Sequence, residues 1–376
     1  MASITKRGNS WRVRVGYLTQ DGTRDFETAT FKKKKDAVAW ASDLEGLLQT
    51  GYVPHSKDYT LADYYDEWYS TYKEPVIRNG TKRNYVSTGK LIRKYFGAMP
   101  IADVTRMEYQ KFLNTIGETR AKQTCHAISI TIRAVVKSAL ADGAINRDFT
   151  VNTVASGRPS KPASEKYLEL HDANKLTAKV IEILNSPEPD FRAMSILIAI
   201  KTGARLAEVS GLTWKDVDFH ERTININKTF TRDLSAPFGP TKNRQSTRII
   251  DVDNQLIEQL KKYRPRQQLM FWQALRQNEL NLICSSPTYS ASWGNSIEDY
   301  LRSILKDAEI TKKITYHGLR HTHASFLLGR GVSIPYVSQR LGHKNPNVTM
   351  RVYAHLLQAD QHVEAAKAVN ALAQLG

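Results

Sequence analysis

Six side chains in the C-terminal half of the sequence stand in short motifs that could bind an anion and move a proton. Two are arginines, which stay protonated and can each donate two parallel hydrogen bonds to the oxygens of an anion. Two are histidines, which can donate a hydrogen bond or move a proton near neutral pH. A lysine and a tyrosine complete a set that suits acid–base and nucleophilic chemistry. In chain order the six are Arg205, Lys242, His317, Arg320, His343 and Tyr353.

The first motif, residues 202–208, predicts a turn followed by a helix. Gly203 permits the turn, which places Arg205 near the start of the helix. Glu208 lies one helical turn further on, where its carboxylate could orient the arginine. The same pair also fits a plain helix salt bridge with no further role.

The second motif is predicted to lie in a hairpin loop, and the third on a helix. Lys242 stands between two predicted strands, near residues 223–230 and 247–252, which places it in a hairpin loop. His317 and Arg320 are three residues apart, so they share one face of a predicted helix. A buried core histidine is the alternative for His317 alone.

The fourth motif is Leu-Gly-His ending at His343, and Tyr353 follows ten residues later. Tyr353 is one of 17 tyrosines, with Tyr336 close by, so the ordered set is far more specific than any member. Among the histidines no carboxylate or thiol has metal-ligand spacing, so we expect no metal site. The other histidines of this region are assigned to packing or helix capping: His321, His323 and His355.

The charge of the chain indicates a polyanionic partner. The formal net charge is +17 and the estimated pI is 9.7. Residues 1–56 have 9 basic and 6 acidic side chains, residues 57–164 have 17 and 10, and residues 165–376 have 28 and 21. Because the excess is spread along the chain, several domains can each contact a phosphate backbone. A basic ribosomal or membrane-surface protein is the alternative on charge alone.

The cysteines and the hydropathy exclude other classes of protein. Cys125 and Cys284 are far apart and form no Cys-x-x-Cys, which argues against a disulfide framework and a cysteine zinc site. No apolar run reaches the ~18 residues that a membrane span needs, and the N-terminus lacks the apolar stretch of a signal peptide. We therefore expect a protein without a membrane partner that stays in the cytoplasm.

Residues 1–56 predict a small domain of three strands and one helix. Apolar residues alternate with polar ones from Trp11 to Tyr17, as in a half-buried strand, and a second strand is expected near Arg24–Phe31. Arg12 and Arg14 share one face of the first of these strands and could enter a groove of DNA. An ordinary solvated face is the equal alternative.

Residues 57–164 predict a bundle of about four helices followed by a Gly/Pro/Ser/Lys-rich linker. Glycines stand where helices are expected to break, at positions 80, 97, 117 and 143. Basic side chains on the exposed helix faces are candidate DNA contacts, with a solvated face as the alternative. These candidates are Lys82, Arg83, Lys90 and Arg93.

Residues 165–376 form the largest segment. Helices come first, near residues 171–186 and 190–202, then the two short strands, then helices again. We expect a mixed α/β domain that ends in a tail helix. The fold class is thus multidomain and mainly α, with small β parts.

The order Arg, Lys, His-x-x-Arg, Gly-His, Tyr resembles the catalytic signature of the tyrosine recombinases, the family of phage integrases. The match covers most of residues 165–376, and all six expected positions are filled. Residues 1–56 and 57–164 resemble, less specifically, the family's arm-type and core-type DNA-binding domains. Gly318 replaces a residue that is often acidic in the family, and we expect no loss of activity from it.

The resemblance implies a DNA strand transferase. Tyr353 is the implied nucleophile, giving a 3′-phosphotyrosyl link and a free 5′-hydroxyl, and Lys242 is the implied general acid. Arg205 and Arg320 can stabilise the negative charge that develops on the non-bridging oxygens of the phosphate. Because one phosphoester replaces another, no ATP is needed, and the cationic side chains supply the charge that a metal supplies elsewhere. We expect no metal and no cofactor.

The resemblance also implies partners: double-stranded DNA with attachment sites, four protomers on that DNA, a host DNA-bending protein and an excision factor. The N-terminal arm-type segment favours a mobile element in a bacterial host over a chromosome-dimer resolvase. Two other functions stay open. A type IB topoisomerase shares the chemistry, and a DNA-binding regulator could keep the fold without catalysis.

Overall fold

The computed structural model divides the chain into two compact units, residues 1–160 and 161–376. We call them the N-terminal and C-terminal units. The finer division into three segments stays a prediction. The structure describes residues 2–18, 23–49, 59–77, 79–160, 162–188, 190–231, 235–241, 244–287, 295–347, 349–350, 365, 369–370 and 372–373.

The first part of the N-terminal unit is an antiparallel three-stranded sheet with a helix, as predicted. The strands β1 Ala2–Arg7, β2 Ser10–Leu18 and β3 Arg24–Phe31 pair in the order β1-β2-β3. Alternate residues of β2 face inward, since Val13 and Val15 are buried. They pack on the apolar face of α1, Lys34–Gln49, and form a small core of their own.

The second part of the N-terminal unit is the predicted helical bundle. Its helices are α2 Leu61–Trp68, α3 Asn79–Phe96, α4 Arg106–Thr119 and α5 Lys122–Ala141. Threonine hydroxyls accept from backbone N–H groups at two of the starts, Thr60 for α2 and Thr105 for α4. Aromatic and aliphatic side chains from all four helices share one core.

Two of the predicted helix breaks are wrong. Gly80 and Gly117 lie inside α3 and α4, whereas Gly97 and Gly143 follow helices with positive φ angles of 55° and 71°. A glycine inside a helix costs only about 1 kcal/mol, which packing can offset. At Gly117 a Cβ atom would lie 2.6 Å from Ser156 Oγ, so the close crossing of another segment explains the residue type.

The C-terminal unit contains helices and short strands around one large core. Its helices are α6 Leu170–Leu184, α7 Phe191–Thr202, α8 Leu206–Ser210, α9 Asn254–Gln273, α10 Asn295–Asp307, α11 Tyr316–Gly329 and α12 Ile334–Leu341. Its strands are β4 Val217–Asp218, β5 Thr223–Ile226, β6 Thr229–Phe230, β7 Phe238–Gly239 and β8 Arg248–Asp251.

The strands make two antiparallel sheets, one in the order β4-β5-β8 and one of β6 with β7. Helix α7 is almost wholly buried, and α11 packs against it. Helix α12 is joined to α11 by a small apolar cluster that includes Leu328, Val337 and Leu341. Helix α7 also contacts α8, and α12 contacts β8, so these elements pack together.

No helix in the described ranges has the length and hydropathy to cross a membrane.

Candidate active site

Arg205 lies where two helices meet, as the sequence predicts. Helix α7 ends in Gly203, whose φ of 68° is the left-handed conformation that glycine favours, and Arg205 is the N-cap of α8. The buried carboxylate of Glu208 accepts from the Arg205 backbone N–H at 3.0 Å and from its Nη1 at 2.6 Å. Glu208 therefore orients the guanidinium.

His317 and Arg320 stand on the first turns of α11, whose N-cap Thr315 accepts from the N–H of Gly318. His317 is exposed, so it is not a core histidine. Arg320 is only 2% exposed, and its Nη1 and Nη2 donate to the carbonyl oxygens of Gly203 at 2.8 Å and Leu341 at 2.7 Å. The arginine thus joins the end of α7 to the end of α12.

His343 follows the C-terminal end of α12, where Gly342 takes a φ of 67°. Its Nδ1 lies 2.7 Å from Oγ1 of Thr349, a fully buried residue. Burial, together with the charges of Arg320 and Arg205, lowers the pKa of His343 to about 3. The imidazole is therefore neutral at neutral pH.

The structure brings four of the six predicted residues together. Arg205 Nη2 reaches the carbonyl oxygen of Gly342 at 3.5 Å, next to the Leu341 carbonyl that Arg320 holds. His317 lies close enough to His343 for a charge on its ring to lower the pKa of His343. Two guanidinium groups and two imidazoles near one point can hold a tetrahedral anion and stabilise added negative charge on it. The other two predicted residues, Lys242 and Tyr353, lie outside the described residues.

Arg248 belongs to this cluster and was not predicted. It stands on β8, is 9% exposed and donates through Nη2 to Oε2 of Glu208 at 3.1 Å. Burial lowers the pKa of its guanidinium, and the carboxylate of Glu208 opposes that effect. Arg248 shares the buried face of β8 with Ile250, so the signal in the sequence was an arginine at an inward position of a short strand.

The two neighbouring histidines differ in environment. His323 is buried, donates from Nδ1 to the carbonyl oxygen of Ile200 at 2.9 Å and accepts from Arg340 Nε at 3.1 Å, which agrees with the predicted packing role. Burial and the charge of Arg340 lower its pKa to about 3. The ring of His321 stands edge-on to that of His317, 5.0 Å away, and burial lowers its pKa to about 4. Within the described ranges, no three His, Cys, Asp or Glu side chains are placed to share a metal ion.

A cleft of about 590 Å³ opens beside His343, between β8 and α12. Its walls include Gln245, Thr247, Arg248 and Arg340. The cluster of cations is therefore reachable from a concave surface that is large enough for a charged group.

The candidate DNA contacts of the N-terminal unit occupy two surfaces. Arg12 and Arg14 are exposed on one face of β2, and the Arg14 guanidinium lies 3.7 Å from the ring centroid of Phe26. On α3, Arg83 and Lys90 are exposed. Lys82 is 3.5 Å from Glu74, and Arg93 pairs with two acidic residues, Asp63 and Asp66. The DNA-binding roles of all six basic residues stay predictions.

Comparison with known proteins identifies the family. The model of the phage integrase family matches residues 166–360, and that of the phage integrase N-terminal SAM-like domain matches residues 60–116. A tyrosine recombinase XerC-like protein of Caldanaerobacter subterraneus subsp. tengcongensis is 24% identical over 91% of this chain and 90% of its own.

Two solved structures show the same fold. The Tn1549 transposon integrase in complex with transposon right end DNA has a TM-score of 0.62 at 17% identity, over 82% of this chain and 99% of that one. A lambda integrase tetramer bound to a Holliday junction has a TM-score of 0.57 at 17% identity, over 93% and 94% of the chains. The first family model alone spans more than half of the sequence, and it includes the whole cluster around Arg205 and Arg320. The chain belongs to the phage integrase family, the tyrosine recombinases.

Proposed function

We propose that this chain is an integrase that integrates and excises mobile-element DNA by cleaving and rejoining it through a 3′-phosphotyrosyl intermediate. One observation carries the proposal. Arg205, Arg320 and His343, which are far apart in sequence, meet at the end of α12 and leave a cationic site beside an open cleft. A scissile phosphodiester is the anion that fits a site of this kind in a strongly basic chain.

In the proposed reaction the Tyr353 phenol gives its proton to an imidazole of the site, its oxygen attacks the phosphorus, and the bond from phosphorus to the 5′ oxygen breaks. Lys242 gives the leaving oxygen a proton, so a 5′-hydroxyl is released. Attack by the 5′-hydroxyl of a partner strand reverses these steps and frees Tyr353. Because each step exchanges one phosphoester for another, the reaction needs no ATP.

The guanidinium groups of Arg205 and Arg320 stabilise the charge that grows on the two non-bridging oxygens. This is the stabilisation that a divalent metal provides in other nucleases and transferases, and we propose that no metal or cofactor takes part. His343 is neutral before DNA binds, and the negative charge of a bound phosphodiester would raise its pKa, so that it could accept the proton of the Tyr353 phenol. His317, exposed on the same side of α11 as Arg320, adds a second imidazole.

We further propose that residues 1–56 and 57–164 are separate DNA-binding domains and that residues 165–376 are catalytic. Arg12 and Arg14 would contact one DNA segment, and the basic face of α3 another. Recombination between two attachment sites would take place in a tetramer, in the cytoplasm of a bacterial host. A host DNA-bending protein and an excision factor would assist it.

The test is covalent capture on nicked DNA that spans the junction between the element and the chromosome, with EDTA present. We expect a protein–DNA adduct on a denaturing gel with the wild-type chain and with Tyr336→Phe, and none with Tyr353→Phe. Tyr336 is a matched control because it is a nearby tyrosine that is 46% exposed. An adduct with Tyr353→Phe contradicts the proposal, as does cleavage that requires a metal. Relaxation of plasmid DNA without any attachment site would instead support a type IB topoisomerase.

A further inference from the structure

The C-terminal end of α12 binds three arginines through three successive carbonyl groups. The N–H groups of Gly342 and His343 donate to carbonyls of the last helical turn, at 2.9 Å and 3.0 Å. The next carbonyls, those of residues 340, 341 and 342, accept from Arg248, Arg320 and Arg205 in that order. We call these three groups the carbonyl row.

The three arginines come from three different elements. Arg248 Nε on β8 lies 2.5 Å from the first oxygen of the row, Arg320 Nη2 on α11 lies 2.7 Å from the second, and Arg205 Nη2 at the start of α8 lies 3.5 Å from the third. Carbonyl groups at a helix C-terminus lack partners within the helix and carry the negative end of the helix dipole. The row therefore attracts cations and fixes where each one stands.

Arg248 uses all three nitrogens of its guanidinium group in hydrogen bonds. Besides the row, its Nη1 donates to the carbonyl oxygen of Ser246 at 2.7 Å and its Nη2 donates to Glu208 at 3.1 Å. Glu208 in turn holds Arg205. A planar guanidinium reaches three separated acceptors through three different nitrogens, whereas the donors of a lysine ammonium group all leave one nitrogen.

The charges of this cluster fit the proposed reaction. Three guanidinium groups and the carboxylate of Glu208 leave two positive charges in a largely buried site. Burial alone would raise the pKa of Glu208, but Arg248 and Arg205 hold it below its ordinary value, so the carboxylate stays charged. A phosphodiester brings one negative charge, and its five-coordinate transition state carries a second on the non-bridging oxygens.

We propose that Arg248 is a positioning residue for strand cleavage. It locks Glu208 to the end of α12, so that Arg205, Arg320 and His343 converge on one phosphate. This inference rests on the proposed function, since it assigns Arg248 a part in the same reaction. It predicts that loss of Arg248 slows the chemical step while DNA binding is retained.

The experiment measures adduct formation on the nicked junction DNA at saturating DNA, with DNA affinity and thermal unfolding measured in parallel. We expect Arg248→Gln to slow the adduct by about 100-fold, the size of effect that a displacement of about 1 Å can produce, with DNA affinity changed less than about threefold. Arg248→Lys keeps the charge and should lie between Arg248→Gln and wild type. Arg302→Gln is the matched control, because Arg302 is an exposed arginine of the same unit that pairs with Asp299. An adduct rate at the wild-type level in a folded Arg248→Gln chain overturns the proposal, as does a loss that follows DNA affinity alone.

A second readout tests whether the guanidinium group of Arg248 acts on the site in the free protein, and it does not need activity. The groups whose charges lower the pKa of His343 are Arg320, Arg205, Arg248 and His317. In Arg248→Gln the pH titration of the His343 ring, followed by NMR in the free protein, should move upward, whereas Arg302→Gln should leave it in place. If the wild-type chain forms no adduct, the proposed function fails, and this titration alone decides on Arg248. An unmoved His343 then overturns its positioning role. If Arg248→Gln does not fold, Arg248→Lys carries the adduct measurement, and an adduct rate at the wild-type level in that variant overturns the proposal.

Discussion

Glu208 is a buried carboxylate that two arginines share. It is 1% exposed, and its oxygens accept from Arg205 on one side and Arg248 on the other. The side chain of Arg248 is almost fully buried, whereas that of Arg205 is 24% exposed. Removal of the carboxylate or of one of its partners should therefore lower the free energy of unfolding substantially, because a buried charge is tolerated only while its partners are present.

The change Glu208→Gln keeps the shape of the side chain and removes its charge. We expect it to lower the free energy of unfolding by about 3 kcal/mol, because two guanidinium groups are left without their counter-charge. Urea unfolding of the purified chain measures this. The exposed Glu221, replaced by Gln in the same way, should change stability by less than about 0.5 kcal/mol. Equal effects of the two changes would contradict the importance of the shared carboxylate.

Contacts within one motif could be predicted from the sequence, and contacts between motifs could not. Arg205 and Glu208 are three residues apart, so helical geometry alone placed them together. Arg248 is 40 residues from Glu208 and 92 from the carbonyl of Arg340, and no local pattern reports such pairs. The meeting of Arg205, Arg320 and His343 was expected only because the ordered motifs resembled a known family.

At the scale of elements, the end of α12 decides the geometry of the site. Gly342 turns the chain sharply, so that the last carbonyls face the arginines while His343 continues into the cleft. A Cβ atom at Gly342 would lie 2.9 Å from Ser246 Cα and 3.0 Å from Arg248 Nη1. The turn therefore needs glycine for its conformation and also for space.

Gly342→Ala should destabilise the chain by more than about 2 kcal/mol, because it combines left-handed strain with a clash against backbone, and should abolish adduct formation. Gly331→Ala is the matched control. Gly331 also has a positive φ, of 79°, but a Cβ atom there would have no atom of the described residues within 4 Å, so only strain of about 1 kcal/mol is expected. Thermal unfolding and adduct yield are the measurements. Similar losses in both variants would show that space at residue 342 is unimportant.

Helices and strands with strong periodicity were predicted well, including β2, α5 and the buried α7. Two kinds of prediction were wrong: the strand expected near residues 223–230 is two short strands of different sheets, and two of the four glycines do not end a helix. A glycine signals a helix end only when the backbone there needs a positive φ, as at Gly97 and Gly143. At Gly117 the reason is instead a tertiary contact with a segment that passes close by. Local sequence periodicity cannot predict such a contact.

At the scale of the whole molecule, charge should govern DNA binding. The net charge of +17 is distributed over all three predicted segments, as simple counting of the sequence indicated. Side chains that already have acidic partners should release fewer counterions when DNA binds. Arg93, which pairs with Asp63 and Asp66, is such a residue, whereas Lys90 on the same helix is exposed.

The logarithm of the DNA-binding constant should fall linearly with the logarithm of salt concentration. Replacing Arg83 or Lys90 by Gln should reduce the slope by about 0.9 each, the value for one lost phosphate contact. Replacing Arg93 by Gln should reduce it less, because the ion pairs with acidic residues compete with DNA. Titrations at several salt concentrations give the slopes. A larger effect for Arg93 than for Lys90 would contradict the idea that the ion pairs of Arg93 compete with DNA.

The whole chain should also lose stability in mild acid. Burial lowers the pKa values of His321 to about 4 and of His323 and His343 to about 3, below the ordinary value of 6.5. Between these values the unfolded chain binds more protons than the folded one, so stability is complete above about pH 6.5 and falls as the pH is lowered. His323→Gln should make this decline shallower by up to about 1.4 kcal/mol per pH unit. Urea unfolding at pH 7 and pH 5 of the wild-type chain and of His323→Gln checks both expectations.

Gly318 has a consequence for hybrids made between related recombinases. A Cβ atom there would lie 2.7 Å from the backbone carbonyl oxygen of Lys166, because the segment that leads into the C-terminal unit crosses α11 at this point. In a relative with an acidic residue at the position of Gly318, the segment that corresponds to Lys166 must lie further from the helix. Gene fusions that join the DNA-binding part of one integrase to the catalytic part of another should therefore have their junction before residue 166, so that the crossing segment and the helix come from the same parent.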